Sequence, residues 1–133
     1  MAPRLWDTAV MVKRFTVSEA RSLAPAMQRQ AQRLAALRAD LAEAHLAQQR
    51  GHAAAVGGIA EVKAVEARLQ ESIDWFTQQG IGLKGIAPVI ADLPSELDGQ
   101  PVLLCWLEGE RSLDFYHPPE TGFMGRRRLP ESD

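Results

Sequence analysis

The sequence predicts an α+β fold in which a long antiparallel, coiled-coil-like helical hairpin precedes a small antiparallel sheet of three or four strands. Three observations predict it. Apolar residues recur at helical spacing from residue 16 to about residue 79, and glycines interrupt this pattern at Gly51 and Gly80. After Gly80 the apolar runs are strand-sized and are separated by Gly and Pro.

The length of the chain sets the number of domains. With 133 residues, 46% of them hydrophobic, it has enough apolar material for one modest core. We therefore expect a single domain over residues 1–133. Its expected parts are an extension over 1–14, the hairpin over 16–79, the sheet with a C-terminal loop over 81–128, and a tail over 129–133.

The first helix has clear start and stop signals. Thr16 followed by Glu19 matches a capping box, in which each side chain accepts a hydrogen bond from an otherwise unpaired backbone N–H. Pro25 should kink the helix or restart it as the first residue of a longer helix. At the expected end of the helix, Arg50 supplies a positive charge in the last turn, and Gly51 can adopt the left-handed conformation that caps a helix.

Two apolar stripes align when the helices are laid antiparallel with a turn near residue 52. The expected contact layers are Met27 with Phe76, Leu34 with Leu69, and Leu41 with Val62. Two helices bury too little apolar surface to be stable alone. We therefore expect the far half of the hairpin to find another partner, most simply a second copy in a four-helix arrangement.

The best-defined strand pair consists of residues 101–107 and 112–117, joined by a two-residue turn at Gly109 and Glu110. The expected facing pairs lie against the base of the hairpin and are Trp106 with Leu113, Leu104 with Phe115, and Val102 with His117. The expected residues of the other face are Leu103, Cys105, Leu107, Ser112, Asp114 and Tyr116. A slip of one residue would interchange the two faces.

The order of these segments resembles a bacterial domain-of-unknown-function family, number 2203, over residues 14–128. The matching motif positions are Cys105, Trp106, Gly109, Glu110, His117, Glu120, Gly122, Phe123, Gly125 and Arg126. The chain departs from the family pattern in its first 13 residues, in Arg127 and Arg128, and in the segment IADLP. The resemblance implies a helical hairpin with a small sheet and supplies no activity.

The segment after the last strand carries the candidate ligand-binding residues. His117, Glu120 and Arg126 would provide a base or metal ligand, an acid and an anion-binding fork, with Tyr116 and Asp114 beside them. The alternative is structural. In it His117 caps a strand, Phe123 fills the core, and Arg126 pairs with Glu120 or Asp114.

Three other features of the sequence are candidates for a chemical role. Cys105 would be a nucleophile, or it would bind a metal together with His117. The expected register places Cys105 and His117 on opposite faces of the sheet, so Cys105 should instead behave as a small buried apolar residue. His45 and His52 near the hairpin tip make a weak metal site. Arg127 and Arg128 should be solvated. The sequence identifies no cofactor and no definite metal.

Composition limits the partners. The net charge of −2 does not favour nucleic acid, the single cysteine fits a reducing interior, and no run of about 18 apolar residues indicates a membrane span. Residues 1–50 carry eight Lys or Arg against four acids, and residues 51–110 carry three against nine, so the two segments can pair within the chain. We expect a cytoplasmic protein.

These patterns favour a non-catalytic interaction module that forms a homo-oligomer, most simply a dimer, or docks on a protein partner through the hairpin. The alternative is a protein that binds a small ligand, an anion or a metal through His117, Glu120 and Arg126. The sequence leaves open whether the protein is an enzyme and favours a non-catalytic role, because the His/Glu/Arg cluster has no nucleophile and no spaced ligand set beside it.

Overall fold

The computed structural model describes residues 13–51 and 58–130. Its elements are the helices α1 (Val17–Gln49) and α2 (Gly58–Gln78), followed by the strands β1 (Gly82–Ile86), β2 (Val89–Leu97), β3 (Gln100–Leu107), β4 (Phe115–His117) and β5 (Arg127–Arg128). The α+β prediction is confirmed, with five strands in place of three or four. The expected extension up to residue 12, tip residues 52–57 with His52, and tail residues 131–133 lie outside the described ranges.

The predicted start of α1 is confirmed. Glu19 N donates to Thr16 Oγ1 at 3.0 Å, and Thr16 N donates to Glu19 Oε1 at 2.8 Å, which completes the capping box. The helix runs through Pro25 without a restart. Ala24 and Met27 are buried on either side of the proline. Their packing stabilises the helix by more than the loss of one backbone hydrogen bond at Pro25 destabilises it. Gly51, with φ of 76°, follows the last residue of the helix cap.

The main core lies at the base of the hairpin, where the helices meet the sheet. Met27, Leu34 and Phe76 are fully buried there, whereas Leu69 is partly buried. Farther from the sheet the buried residues of the two helices are smaller on average; they are Leu37, Ala44, Val62 and Val65. Neither α1 nor α2 has the apolar composition that a helix needs to cross a membrane.

The five strands form one antiparallel sheet in the order β1-β2-β3-β4-β5. Because successive side chains of a strand alternate between faces, one face of β2 and β3 packs on the hairpin base. The residues of that buried face are Ala91, Leu93, Ser95, Val102, Leu104 and Trp106. Asp92, Cys105 and Phe115 lie in one row on the opposite face, which we call the second face.

The predicted register of the last strand pair is wrong by one residue. The observed partners are Leu103 with His117, Leu104 with Tyr116, and Cys105 with Phe115. Phe115 and His117 therefore lie on the second face with Cys105, and Tyr116 packs against the main core. The assignment of Val102, Leu104 and Trp106 to the hairpin side is confirmed.

The connection between β3 and β4 explains the shift in register. It spans residues 108–114 and is not a two-residue turn. Glu110 N donates to Leu107 O at 2.9 Å, so Gly109, with φ of 98°, is the third residue of a four-residue turn. The Glu110 carboxylate accepts a hydrogen bond from Leu107 N at 2.7 Å, which satisfies a strand N–H that β4 does not reach.

Candidate metal centre

Three buried side chains with different ligand atoms meet on the second face of the sheet. Asp92 of β2 pairs with Cys105 of β3, and His117 ends β4 two residues after the strand partner of Cys105. Asp92 is 5% exposed, Cys105 0% and His117 1%. One carboxylate oxygen, the thiol sulfur and one imidazole nitrogen all lie within 4.8 Å of one another. We call these three residues the buried triad.

The partners of the His117 imidazole determine where its protons are. Nδ1 lies 2.8 Å from Pro118 O, and a carbonyl oxygen only accepts hydrogen bonds, so Nδ1 carries a proton and donates it. Nε2 lies 3.1 Å from Asp92 Oδ1. One further proton must lie between Nε2 and Oδ1, because two lone pairs would otherwise face each other. The pair thus has no net charge.

The Cys105 thiol has no access to solvent. Burial, followed by the negative charge of Asp92, raises the pKa of this thiol to about 12, whereas the guanidinium of Arg126 acts in the opposite direction. At neutral pH the thiol is therefore protonated and a poor nucleophile. Its sulfur lies within 4.8 Å of an oxygen of the Asp92 carboxylate.

The C-terminal loop is attached to the second face through Arg126. Its guanidinium donates to Glu110 Oε1 at 2.7 Å and to the carbonyl oxygen of Cys105 at 3.1 Å, and it stacks on the Phe115 and Phe123 rings at 4.1 and 4.8 Å. Burial would lower the pKa of Arg126, but the hydrogen bond to Glu110, followed by the charges of Cys105 and Glu110, outweighs burial and raises that pKa. Arg126 therefore anchors the loop beside Cys105.

The structure brings together only some of the residues proposed from sequence. His117 contacts Asp92, whereas Arg126 pairs with Glu110 and with neither Glu120 nor Asp114. Glu120 is exposed and lines a separate groove of about 480 Å³ with Tyr116.

The remaining candidates lie elsewhere. Asp114 lies 3.7 Å from Arg21 of α1, in an ion pair. His45 is an exposed residue of α1. The expectation that Cys105 and His117 lie on opposite faces is wrong, because the register of β4 differs from the expected one.

Sequence reasoning missed Asp92, although a signal was present. The segment VIADLP places one carboxylate inside an apolar strand of the sheet, and charged residues are rarely fully buried without a partner. Such a residue predicts a buried partner, which the sequence alone did not identify. The second missed residue is Glu110, assigned to a turn and found as the partner of Arg126.

The donor set of the buried triad suits a transition metal ion. Thiolate, imidazole and carboxylate are the three side-chain ligands of zinc, and zinc sites with three protein ligands leave a fourth position open. A metal-bound histidine commonly donates its other ring N–H to a backbone carbonyl. His117 already makes this contact through Nδ1 and Pro118 O.

Comparison with known proteins gives a family and no function. A family model described as an uncharacterised conserved protein, DUF2203, matches residues 13–129. No curated protein and no solved structure shows significant similarity to the chain.

Proposed function

The chain belongs to the DUF2203 family of uncharacterised conserved proteins, whose description names no activity, and we therefore propose a function from the geometry of the buried triad. We propose that the protein binds one divalent transition metal ion, best matched by zinc, through Asp92, Cys105 and His117. The observation that carries this proposal is the convergence of three different ligand atoms within 4.8 Å in a buried site.

The arrangement of the strands supports a preformed site. Asp92 and Cys105 are direct strand partners, and the side chain of His117 reaches them from the next strand. Rigid neighbouring strands hold ligands more precisely than loops do. Arg126 donates to the carbonyl of Cys105, which fixes the backbone next to the thiol.

Metal binding at this site must displace two protons. One is the proton shared by His117 Nε2 and Asp92 Oδ1, and the other is the proton of the Cys105 thiol. With zinc at +2, thiolate at −1 and carboxylate at −1, the loaded site has no net charge. The metal therefore replaces two protons without adding charge to the protein interior, and its affinity rises with pH.

The test is zinc titration of the full chain by isothermal calorimetry after treatment with a chelator. The expected result is one zinc ion per chain, with affinity reduced by more than about 100-fold in Cys105→Ala and His117→Gln, since loss of an outer-shell contact alone costs 10- to 100-fold. His45→Ala, on the exposed face of α1, is the control and should bind zinc normally. Equal zinc binding by all variants would contradict the proposal.

A second candidate function is self-association through the far end of the hairpin. Two large apolar side chains are exposed there, Ile59 at 72% and Leu46 at 44%. A second copy of the chain that packs on these residues would complete a four-helix arrangement. Light scattering after size exclusion should then show a dimer that dissociates in the double variant Leu46→Glu and Ile59→Glu. A monomeric wild-type protein would eliminate this candidate.

A further inference from the structure

A cavity of about 580 Å³ lies beside the buried triad. The end of α2 and the first residues of β1 form one wall, and the second face of the sheet forms the other. Pro94 and Leu103 contribute apolar surface, and Asp92 lines the cavity as well as belonging to the triad. A volume of this size is typical of small-molecule sites.

The charge of the cavity wall is positive. Lys13 and Lys84 line it, and the only carboxylate among its lining residues is Asp92. The charge of Asp92 is already compensated by His117. Within residues 13–51 and 58–130, Lys84 makes no ion pair, and Lys13 lies 4.9 Å from the Phe15 ring centre. The charge of Lys13 also helps to lower the pKa of the exposed Glu19 carboxyl, so Lys84 is the more available ammonium group for an anion and Lys13 adds positive charge beside it.

The backbone of β1 directs Lys84 towards the cavity. The pairing of β1 with β2 shifts between Leu83 and Gly85, which places Lys84 in a bulge. Bulges change the direction of a side chain and occur often beside functional sites. Gly82, the strand partner of Asp92, has no side chain to fill the space above the carboxylate.

The lining favours a carboxylate over a phosphate. Phosphate sites usually use backbone N–H groups at a helix N-terminus or an arginine fork. No arginine lines this cavity, and residues 77–80 bring the C-terminal end of α2 to it, whose partial negative charge opposes a dianion about twice as strongly as a monoanion. A single negative charge attached to an apolar body fits two lysines and the Pro94–Leu103 surface better than a dianion.

We infer that this cavity binds a small organic carboxylate, with its anionic group at Lys13 and Lys84 and its apolar part against Pro94 and Leu103. This function goes beyond metal binding and does not depend on it, because the cavity wall is positive whether or not the triad holds an ion. The site would give the protein a small-molecule ligand next to the proposed metal centre.

The test is an NMR titration of the full-length, chelator-treated protein with three probes. Hexanoate supplies a carboxylate on an apolar chain, 1-hexanol supplies the chain without charge, and inorganic phosphate supplies charge without the chain. Hexanoate should shift the amide signals of Gly82, Lys84 and Asp92, 1-hexanol should bind at least about fivefold more weakly, and phosphate should shift none of them. Phosphate binding in place of hexanoate would overturn the assignment.

Two variants locate the binding site. Lys84→Met should weaken hexanoate binding by about five- to tenfold through loss of one charge. Gly82→Val should also weaken it, because a Cβ at residue 82 would lie 3.6 Å from Asp92 O and 3.6 Å from Lys84 Cε, so the added methyl groups narrow the cavity beside Lys84. Lys63→Met, with a side chain 77% exposed on α2, is the matched control and should bind as the wild type does.

Separate readouts keep this inference distinct from the proposed metal site. Zinc binding by Lys84→Met should equal that of the wild type, since Lys84 is not in the triad. A wild-type protein that binds zinc but not hexanoate would overturn the carboxylate site alone. Hexanoate binding that is unchanged in both Lys84→Met and Gly82→Val would also overturn it.

Discussion

The His117 imidazole reaches across β3 to Asp92 of β2, with Nε2 3.1 Å from Oδ1 in a fully buried position. β2 and β4 are not neighbours in the sheet, so this contact ties three strands together on the second face. The same two atoms are the proposed metal ligands. Their hydrogen bond therefore stabilises the metal-free protein and also holds the two ligand atoms of the proposed metal site close together.

Removal of Asp92 should destabilise the metal-free protein strongly. Asp92→Ala leaves Nε2 of His117 buried without a partner, and loss of one member of a buried pair costs about 3 kcal/mol. Cys105→Ala keeps that pair intact and should cost about 1 kcal/mol. Urea unfolding in the presence of a chelator measures both. Equal losses for the two variants would contradict the predicted contribution of the Asp92–His117 contact.

Loss of the Arg126 side chain should release the C-terminal loop. Arg126→Met removes two hydrogen bonds and leaves the Glu110 carboxylate without its cation, so the free energy of unfolding should fall by about 2 kcal/mol. Arg127→Met changes the adjacent, exposed residue and should have little effect. Thermal unfolding and amide exchange of residues 118–126 check this prediction. Similar losses for the two variants would refute the proposed anchoring.

The start of α1 should stabilise the protein in a pH-dependent way. Hydrogen bonds from Thr16, first its backbone N–H and then its hydroxyl, lower the pKa of Glu19 below the usual value of 4.5. A carboxylate with a lowered folded-state pKa stabilises the protein above its unfolded-state pKa, and this contribution disappears as pH falls through the folded-state value. The stability difference between wild type and Glu19→Ala should therefore be greatest at neutral pH and shrink below about pH 4.

Urea unfolding of both proteins from about pH 2 to about pH 7 measures this effect, because this range covers the titration of carboxyl groups. Glu43→Ala, at an exposed residue of α1 far from its N-terminal cap, is the control. A constant difference between wild type and Glu19→Ala over this pH range would contradict the prediction.

The hairpin should be most sensitive to substitution at its base. Leu34 is 0% exposed in the main core, so Leu34→Ala should cost roughly 3 kcal/mol. Leu46 is 44% exposed near the far end, and Leu46→Ala should change the free energy of unfolding by less than about 0.5 kcal/mol in the monomer. Urea unfolding at low protein concentration compares them. A larger effect at Leu46 would place the core farther along the hairpin.

Local signals in the sequence predicted the helices well. The capping box at Thr16 and Glu19 and the glycine after Arg50 act through the backbone within a few residues, so they can be recognised from sequence. The stripe through Met27 and Leu34 is equally local, because helical spacing fixes which residues share a face. The sequence also predicted the small antiparallel sheet, with three or four strands where the structure has five.

The register of β4 and the site depend on longer-range contacts. The side chain of Glu110 replaces a strand partner at Leu107, and the connection to β4 spans residues 108–114 where the expected one spanned 108–111, three residues fewer. That shift turned His117 towards Cys105 and Asp92. The residues of the triad are 13 and 12 positions apart in the chain, so spacing alone does not predict their meeting.

Cobalt(II) substitution of the chelator-treated protein tests the proposed metal centre most directly. The account predicts one cobalt ion per chain, with intense thiolate-to-cobalt charge-transfer absorption in the near ultraviolet that is absent from Cys105→Ala and unchanged in His45→Ala. Circular dichroism confirms that each variant is folded. A folded wild-type protein that takes up cobalt without this absorption, or takes up none, would contradict a metal centre at Asp92, Cys105 and His117.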